Sequence, residues 1–162
     1  MTPRPASRRT VRGPRWSRGI AAVEFVVTAP FVLFLLFASV EFGRAFVQYT
    51  TLALSVRNSA RFVSEHSTIG TTGVVSLSGT VITQARNLAV YGNIAGSGNA
   101  RLPNYQTSQV TVIDAGNDNV RVAATYPYQP MLGSTLSSFG NGGGSIPLTF
   151  NMHIAVTMRA IS

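Results

Sequence analysis

Arg18-Gly19-Ile20-Ala21-Ala22-Val23-Glu24-Phe25 is the junction on which this chain turns. Before it lies an arginine-rich leader; behind it run twenty-one residues, Ile20 to Val40, of which Glu24 alone is charged. About 20 apolar residues let an α-helix cross the hydrocarbon core of a bilayer. The run therefore predicts a transmembrane helix. An ionised carboxylate inside such a span costs up to about 3 kcal/mol, less toward the interface, unless it is paired. Glu24 needs a reason to be there.

Outward from the junction, residues 1–19 hold three prolines, two glycines and almost no aliphatic side chain, so they predict an unstructured tail. All thirteen basic residues of the chain are arginines, and six of them precede Gly19. Most of the net charge of +8 thus belongs to the leader, not to a folded surface that could track phosphates. No nucleic-acid partner is expected. Arginines on one flank of a span hold that flank in the cytoplasm, which places the N-terminus inside and the rest of the chain outside an inner (cytoplasmic) membrane. Ser7-Arg8-Arg9-Thr10-Val11-Arg12 has the form of a twin-arginine export signal, but an arginine-rich tail produces such a string by chance.

The apolar run is long for a cleaved secretory signal, although Phe37-Ala38-Ser39 offers a weak cleavage site. An uncleaved anchor accounts for its length and basic flank. Neither accounts for Glu24. Within the run, Pro30 removes a backbone donor and is expected to kink or loosen the helix. Past Glu41-Phe42-Gly43-Arg44, the residues Leu52, Val56, Ala60 and Val63 recur at offsets of four, four and three, one helical face. A single helix from Ile20 to about Ser64 would be roughly 65–70 Å long at 1.5 Å per residue.

Gly19, then four small or aliphatic residues, then Glu24 and the aromatic Phe25, all behind a basic leader, resemble the processing site of type IV prepilins. With Pro30, Glu41-Phe42-Gly43-Arg44 and Ser59-Ala60-Arg61 added, the stretch from Arg18 to about Val63 looks like the TadE-like family, minor pilins or pseudopilins of the tight-adherence (Flp) type IV pilus. Phe25 stands where that family commonly has tyrosine, keeping the ring and losing the hydroxyl. The resemblance implies cleavage by a prepilin peptidase between Gly19 and Ile20, making Glu24 the fifth residue of the mature chain. A carboxylate one turn from a new α-ammonium at Ile20 can neutralise such a charge, on its own helix or on a neighbouring one in a low-dielectric bundle. It implies as partners the peptidase, other pilins or pseudopilins, the assembly platform and the lipid bilayer, and a role in pilus assembly, adhesion or secretion. The rival expectation is an uncleaved bitopic membrane protein with a small exported scaffold or binding domain.

Beyond the long helix, Ser64 to Ser76 is rich in Ser, Thr and Gly and should break it. Ser78 can then cap a helix to about Tyr91, with Leu77 and Ile82 as a hydrophobic staple, Gly92 as the stop and Val81, Ala85, Leu88 and Ala89 as its apolar face. Gly92 to Asn104 reads as loop. From there the period becomes two: Ser108 to Asp114 and Asn119 to Tyr126 read as strands joined through Ala115-Gly116-Asn117-Asp118, and after a glycine-rich loop from Gly133 to Ser145 the alternation from Leu148 to Met158 gives a third strand. The whole predicts an α+β, pilin-like fold: a cytoplasmic leader (1–19), a transmembrane and spine helix (20–64) and a small exported domain (65–162). In it the Leu52/Val56/Ala60/Val63 stripe covers the even-numbered face of the last strand, with coverage by the second helix alone as the alternative.

The absence of cysteine excludes disulfides and thiolate chemistry. His66 and His153 have no metal-ligand neighbours at useful spacing, no nucleophile and base pair up in the sequence, and the Gly140–Gly144 run lacks both a lysine and a strand-to-helix frame for phosphate. No enzyme, cofactor or metal is expected.

Overall fold

The computed structural model describes residues 17–69, 75–131, 133–137 and 145–161. The leader up to residue 16, the centre of the expected Ser64–Ser76 break and the Gly140–Gly144 run lie outside the described residues. The fold is α+β: a long N-terminal apolar helix, a second helix and a three-stranded antiparallel sheet. Helix α1 spans Ser17–His66 and includes Pro30. Packing divides the chain into two compact units, Met1–Val40 and Glu41–Ser162.

In the first unit the helix is apolar on every side. Phe31 to Phe37 are seven consecutive apolar residues, about two turns at 3.6 residues per turn, and all are exposed. A helix with no polar face has no preferred direction toward water and suits lipid or other apolar helices. Its hydroxyls are satisfied internally: Thr28 Oγ1 donates to the Glu24 carbonyl at 2.8 Å and Ser39 Oγ to the Leu35 carbonyl at 2.8 Å. Neither side chain needs a partner from outside, which is the condition for a hydroxyl to sit in hydrocarbon.

In the second unit α1 is amphipathic. Leu52, Val56, Ala60 and Val63 are fully buried, as their spacing predicts, and beside them lie the buried Ser55, Ser59 and Ser64. Ser55 and Ser64 return their hydroxyls to the Leu52 and Arg61 carbonyls at 2.8 and 2.9 Å. Ser59 instead donates across to the Ala85 carbonyl of the second helix at 2.7 Å. After His66 the chain does more than break: β1 (Thr68–Ile69) pairs antiparallel with β2 (Val75–Ser76), a ladder too short to leave a period in the sequence.

Helix α2 (Gly79–Tyr91) has the predicted caps. The Val81 N–H donates to the Ser78 hydroxyl at 3.2 Å, and Gly92 closes the helix at φ 79°, returning its N–H to the Leu88 carbonyl. Leu77 and Ile82, the expected staple, are both half-buried against the core. The buried face is Ala85, Ala89 and Val90, with Val81 packed beside them; Leu88 stays half-buried, because the face is centred on the other side of Ala89.

A 3₁₀ turn at Thr107–Gln109 takes Ser108 out of the first predicted strand; β3 runs Val110–Gly116 and β4 Asn119–Tyr128. Their turn is Asn117-Asp118 at φ 51° and 59°, the left-handed pair that matches strand twist, while Ala115 is the extra residue of a bulge between Asp114 and Gly116. β5 (Thr135–Ser137), inside the stretch that the composition reads as loop, pairs antiparallel with β6 (Ser145–Pro147), which starts at the last residue of that stretch. β7 is Phe150–Arg159, so Leu148 precedes the last strand.

The main sheet has the order β3-β4-β7. Its central strand is β4, which supplies the buried Val120, Val122, Ala124, Tyr126 and Tyr128. On β7 the even-numbered face does point to the core, but only Met152 is buried; Ile154, Val156 and Met158 are half-buried and Phe150 is exposed. An edge strand has a neighbour on one side only, which is why its clearer alternation brings less burial. The α1 stripe, α2 and all three strands share one hydrophobic cluster, so neither helix alone covers the sheet.

Candidate functional site

Gly19 and Ile20 lie in the first turn of α1, exposed. A Cβ placed on Gly19 meets nothing within 4 Å, so the fold tolerates a side chain there. Glu24, one turn on, is exposed and makes no ion pair among the described residues. In the intact chain the nitrogen of Ile20 is an uncharged amide, and the nearest helical neighbours of Glu24 at i−4 and i+4 are Ile20 and Thr28, neither of them cationic. The local sequence thus supplies one charge and no counter-charge. Pro30 sits within the helix, in the exposed apolar run.

A second polar constellation begins where the apolar run ends. Glu41 Oε1 accepts from Arg44 Nη2 at 3.0 Å, from the Met131 N–H at 3.2 Å and from the Tyr128 hydroxyl. Arg44 also donates to the Gln129 carbonyl at 2.6 Å and stands over the Tyr128 ring, 5.4 Å from its centroid. The Tyr128 ring in turn packs against Phe150 at 5.0 Å. Burial raises the Tyr128 pKa, and its hydrogen bond to the Glu41 carboxylate raises it further. One acidic residue therefore ties α1 to the end of β4 and to the segment after it. At the other end of this part of α1, the Ile161 N–H donates to the Ser64 carbonyl at 2.9 Å.

Beside Arg44 lies a cleft of about 190 Å³ lined by Gln48, Asn104, Tyr126, Gln129 and Met131 among others. Among the described residues, Arg44 Nε and Gln48 Oε1 have no hydrogen-bond partner. Sequence reasoning marks Glu41 and Arg44 as a motif but finds neither this cleft nor the Tyr128 contact, because Tyr128 is 87 residues from Glu41. Among the described residues there is no group of three or more metal-ligating side chains. His153 Nδ1 lies 3.0 Å from Thr125 Oγ1 on the solvent face of the sheet, and His66 stacks on Phe62.

The model of the TadE-like protein family matches residues 19–61, the stretch that holds Gly19, Glu24, Pro30, Glu41 and Arg44. That family associates this part of the chain with the Tad (Flp) pilus system and with a membrane, and α1 is long and apolar enough to cross one. No curated protein and no solved structure matches the chain.

Proposed function

We propose that this TadE-like chain is a non-enzymatic minor pilin or pseudopilin, cut by a prepilin peptidase between Gly19 and Ile20 and used in assembling a tight-adherence pilus. The observation that carries the reading is Glu24: the only charged residue from Ile20 to Val40, exposed, without an ion pair among the described residues, and fifth after Gly19. A lone carboxylate in a span is costly when it stays alone. Cleavage would generate an α-ammonium one helical turn away, and a pair of that kind between neighbouring subunits would fix their axial register, the best-attested use of buried charge. The basic leader keeps the N-terminus in the cytoplasm, where the cut is made, and the Glu41–Ser162 unit is exported.

The test is N-terminal sequencing of the protein from cells that hold the matching peptidase. Ile20 as the first residue supports the reading; Met1 or Ser39 overturns it. Glu24→Leu separates it from an uncleaved scaffold protein: the pilin reading expects normal insertion with loss of pili, the scaffold reading expects no loss.

A further inference from the structure

The two edges of the main sheet differ. β3 is covered by α2 and β2, its Val110 and Val112 are buried, and a bulge distorts its end. β7 is more open: only Met152 is buried, its pairing with β4 is unbroken over ten residues, and among the described residues no strand lies on its other side. Natural sheets protect long regular edges with bulges, prolines or inward charges. β7 holds no proline and no charge on its core-facing side.

The ladder tells which backbone groups are free. The Ala160 N–H donates to the Asp118 carbonyl at 2.7 Å, continuing the β4–β7 register by one pair. In an antiparallel ladder residues alternate between facing the partner and facing away. Counting back from Ala160, Met158, Val156, Ile154 and Met152 face β4, whereas Asn151, His153, Ala155, Thr157 and Arg159 present N–H and C=O groups to the open edge. Pro127, opposite Asn151, falls at a place where no N–H is needed toward β7.

Alongside the start of this edge runs an apolar groove of about 330 Å³, between Phe42, Ala45, Phe46 and Tyr49 of α1 and Phe150 to His153 of β7. Its walls are exposed large side chains: Phe42 is 76%, Phe46 61% and Phe150 51% exposed. The half-buried Ile154, Val156 and Met158 continue the apolar face along the strand. On the opposite face, β4 and β7 carry Arg121, His153 and Arg159; Arg159 reaches Asp118 just before β4 at 3.8 Å yet stays 78% exposed, and Arg121 forms no ion pair among the described residues.

The geometry points to β7 as a docking edge for an extended segment of a partner protein, apolar at alternate positions and acidic between them. Main-chain hydrogen bonds to Asn151–Arg159 hold the strand; its apolar side chains fill the groove beside Phe46, and its carboxylates meet Arg121 and Arg159. The inference rests on the Glu41–Ser162 unit and does not depend on cleavage after Gly19.

Hydrogen exchange read amide by amide on the full chain in detergent tests this, with a synthetic peptide of alternating valine and glutamate as the probe. The peptide should slow exchange of the odd-numbered β7 amides at least about tenfold and leave the even-numbered ones, already protected by β4, unchanged. Ala155→Pro removes one edge N–H and should abolish the effect; Phe46→Asp, which leaves the sheet untouched, should weaken it at least about threefold. Fast odd-numbered amides at saturating peptide overturn the proposal. So does equal protection by a valine–lysine peptide, and so does protection that rises with protein concentration alone, which would make a second copy the occupant.

Discussion

The Tyr128 hydroxyl donates a hydrogen bond to the Glu41 carboxylate, joining the last residue of β4 to the first residue of the second unit. Arg44 completes the group from one turn further along α1, held over the same ring. Hydrogen bonds to a charged group are worth about 1.5–3 kcal/mol, and the Glu41 side chain is only 19% exposed. Tyr128→Phe keeps the packing on Phe150 and removes the donor. It should cost about 1–2 kcal/mol. Glu41→Gln should cost a similar amount, and the double variant less than the sum. Urea unfolding of the purified full chain, followed by near-ultraviolet circular dichroism, measures all three; strict additivity would show that the two groups are not coupled.

Alkaline pH should act through Tyr105. Its ring is buried and lies edge-on to Tyr126, and among the described residues its hydroxyl has no well-formed hydrogen bond, with the Ser55 hydroxyl nearby. Burial pushes its pKa up to about 12 from 10.0, eased only in part by Ser55. Folding therefore favours the neutral phenol. The contribution is intact below pH 10.0 and is lost as pH rises through about 12, because the unfolded chain ionises first. Tyr105→Phe should flatten the stability profile across that window. At neutral pH it should be neutral or stabilising by up to about 1 kcal/mol, since it removes an unsatisfied buried hydroxyl.

Ser59 marks the closest polar contact between the two helices, its hydroxyl 2.7 Å from the Ala85 carbonyl. Ser59→Ala should cost about 0.5–1 kcal/mol, because the carbonyl keeps its own helical bond. Ser59→Leu should cost more than about 2 kcal/mol by forcing α2 away. Thermal melts of the two variants check the order, and a leucine variant as stable as alanine would show that α2 yields there.

At the leader junction, Gly19→Ala should block processing without disturbing the fold, since the added methyl meets nothing within 4 Å. Full-length protein with an unchanged circular dichroism spectrum is the expected result, read by mass spectrometry. Processing at the wild-type rate would place the cut elsewhere.

Local patterns in this chain were legible wherever the physical cause was local. The apolar run from Ile20 to Val40, the four-four-three stripe of Leu52, Val56, Ala60 and Val63, the Ser78 and Gly92 caps and the alternation of β4 are all consequences of a residue and its neighbours within a turn or two. The sequence by itself therefore determined the two helices and the three strands of the main sheet, their faces and the placing of a single carboxylate five residues after a glycine, but not the short pairs β1–β2 and β5–β6. What it left open was partnership. That β4 and not β7 is central, that α1 and α2 meet through Ser59, and that Glu41 finds Tyr128 all depend on strand order and chain return. Alternation says which side of a strand is apolar but carries no record of how many neighbours the strand has. Only the tertiary structure fixes that, because burial and hydrogen-bond satisfaction are properties of the packed sheet and not of the strand alone.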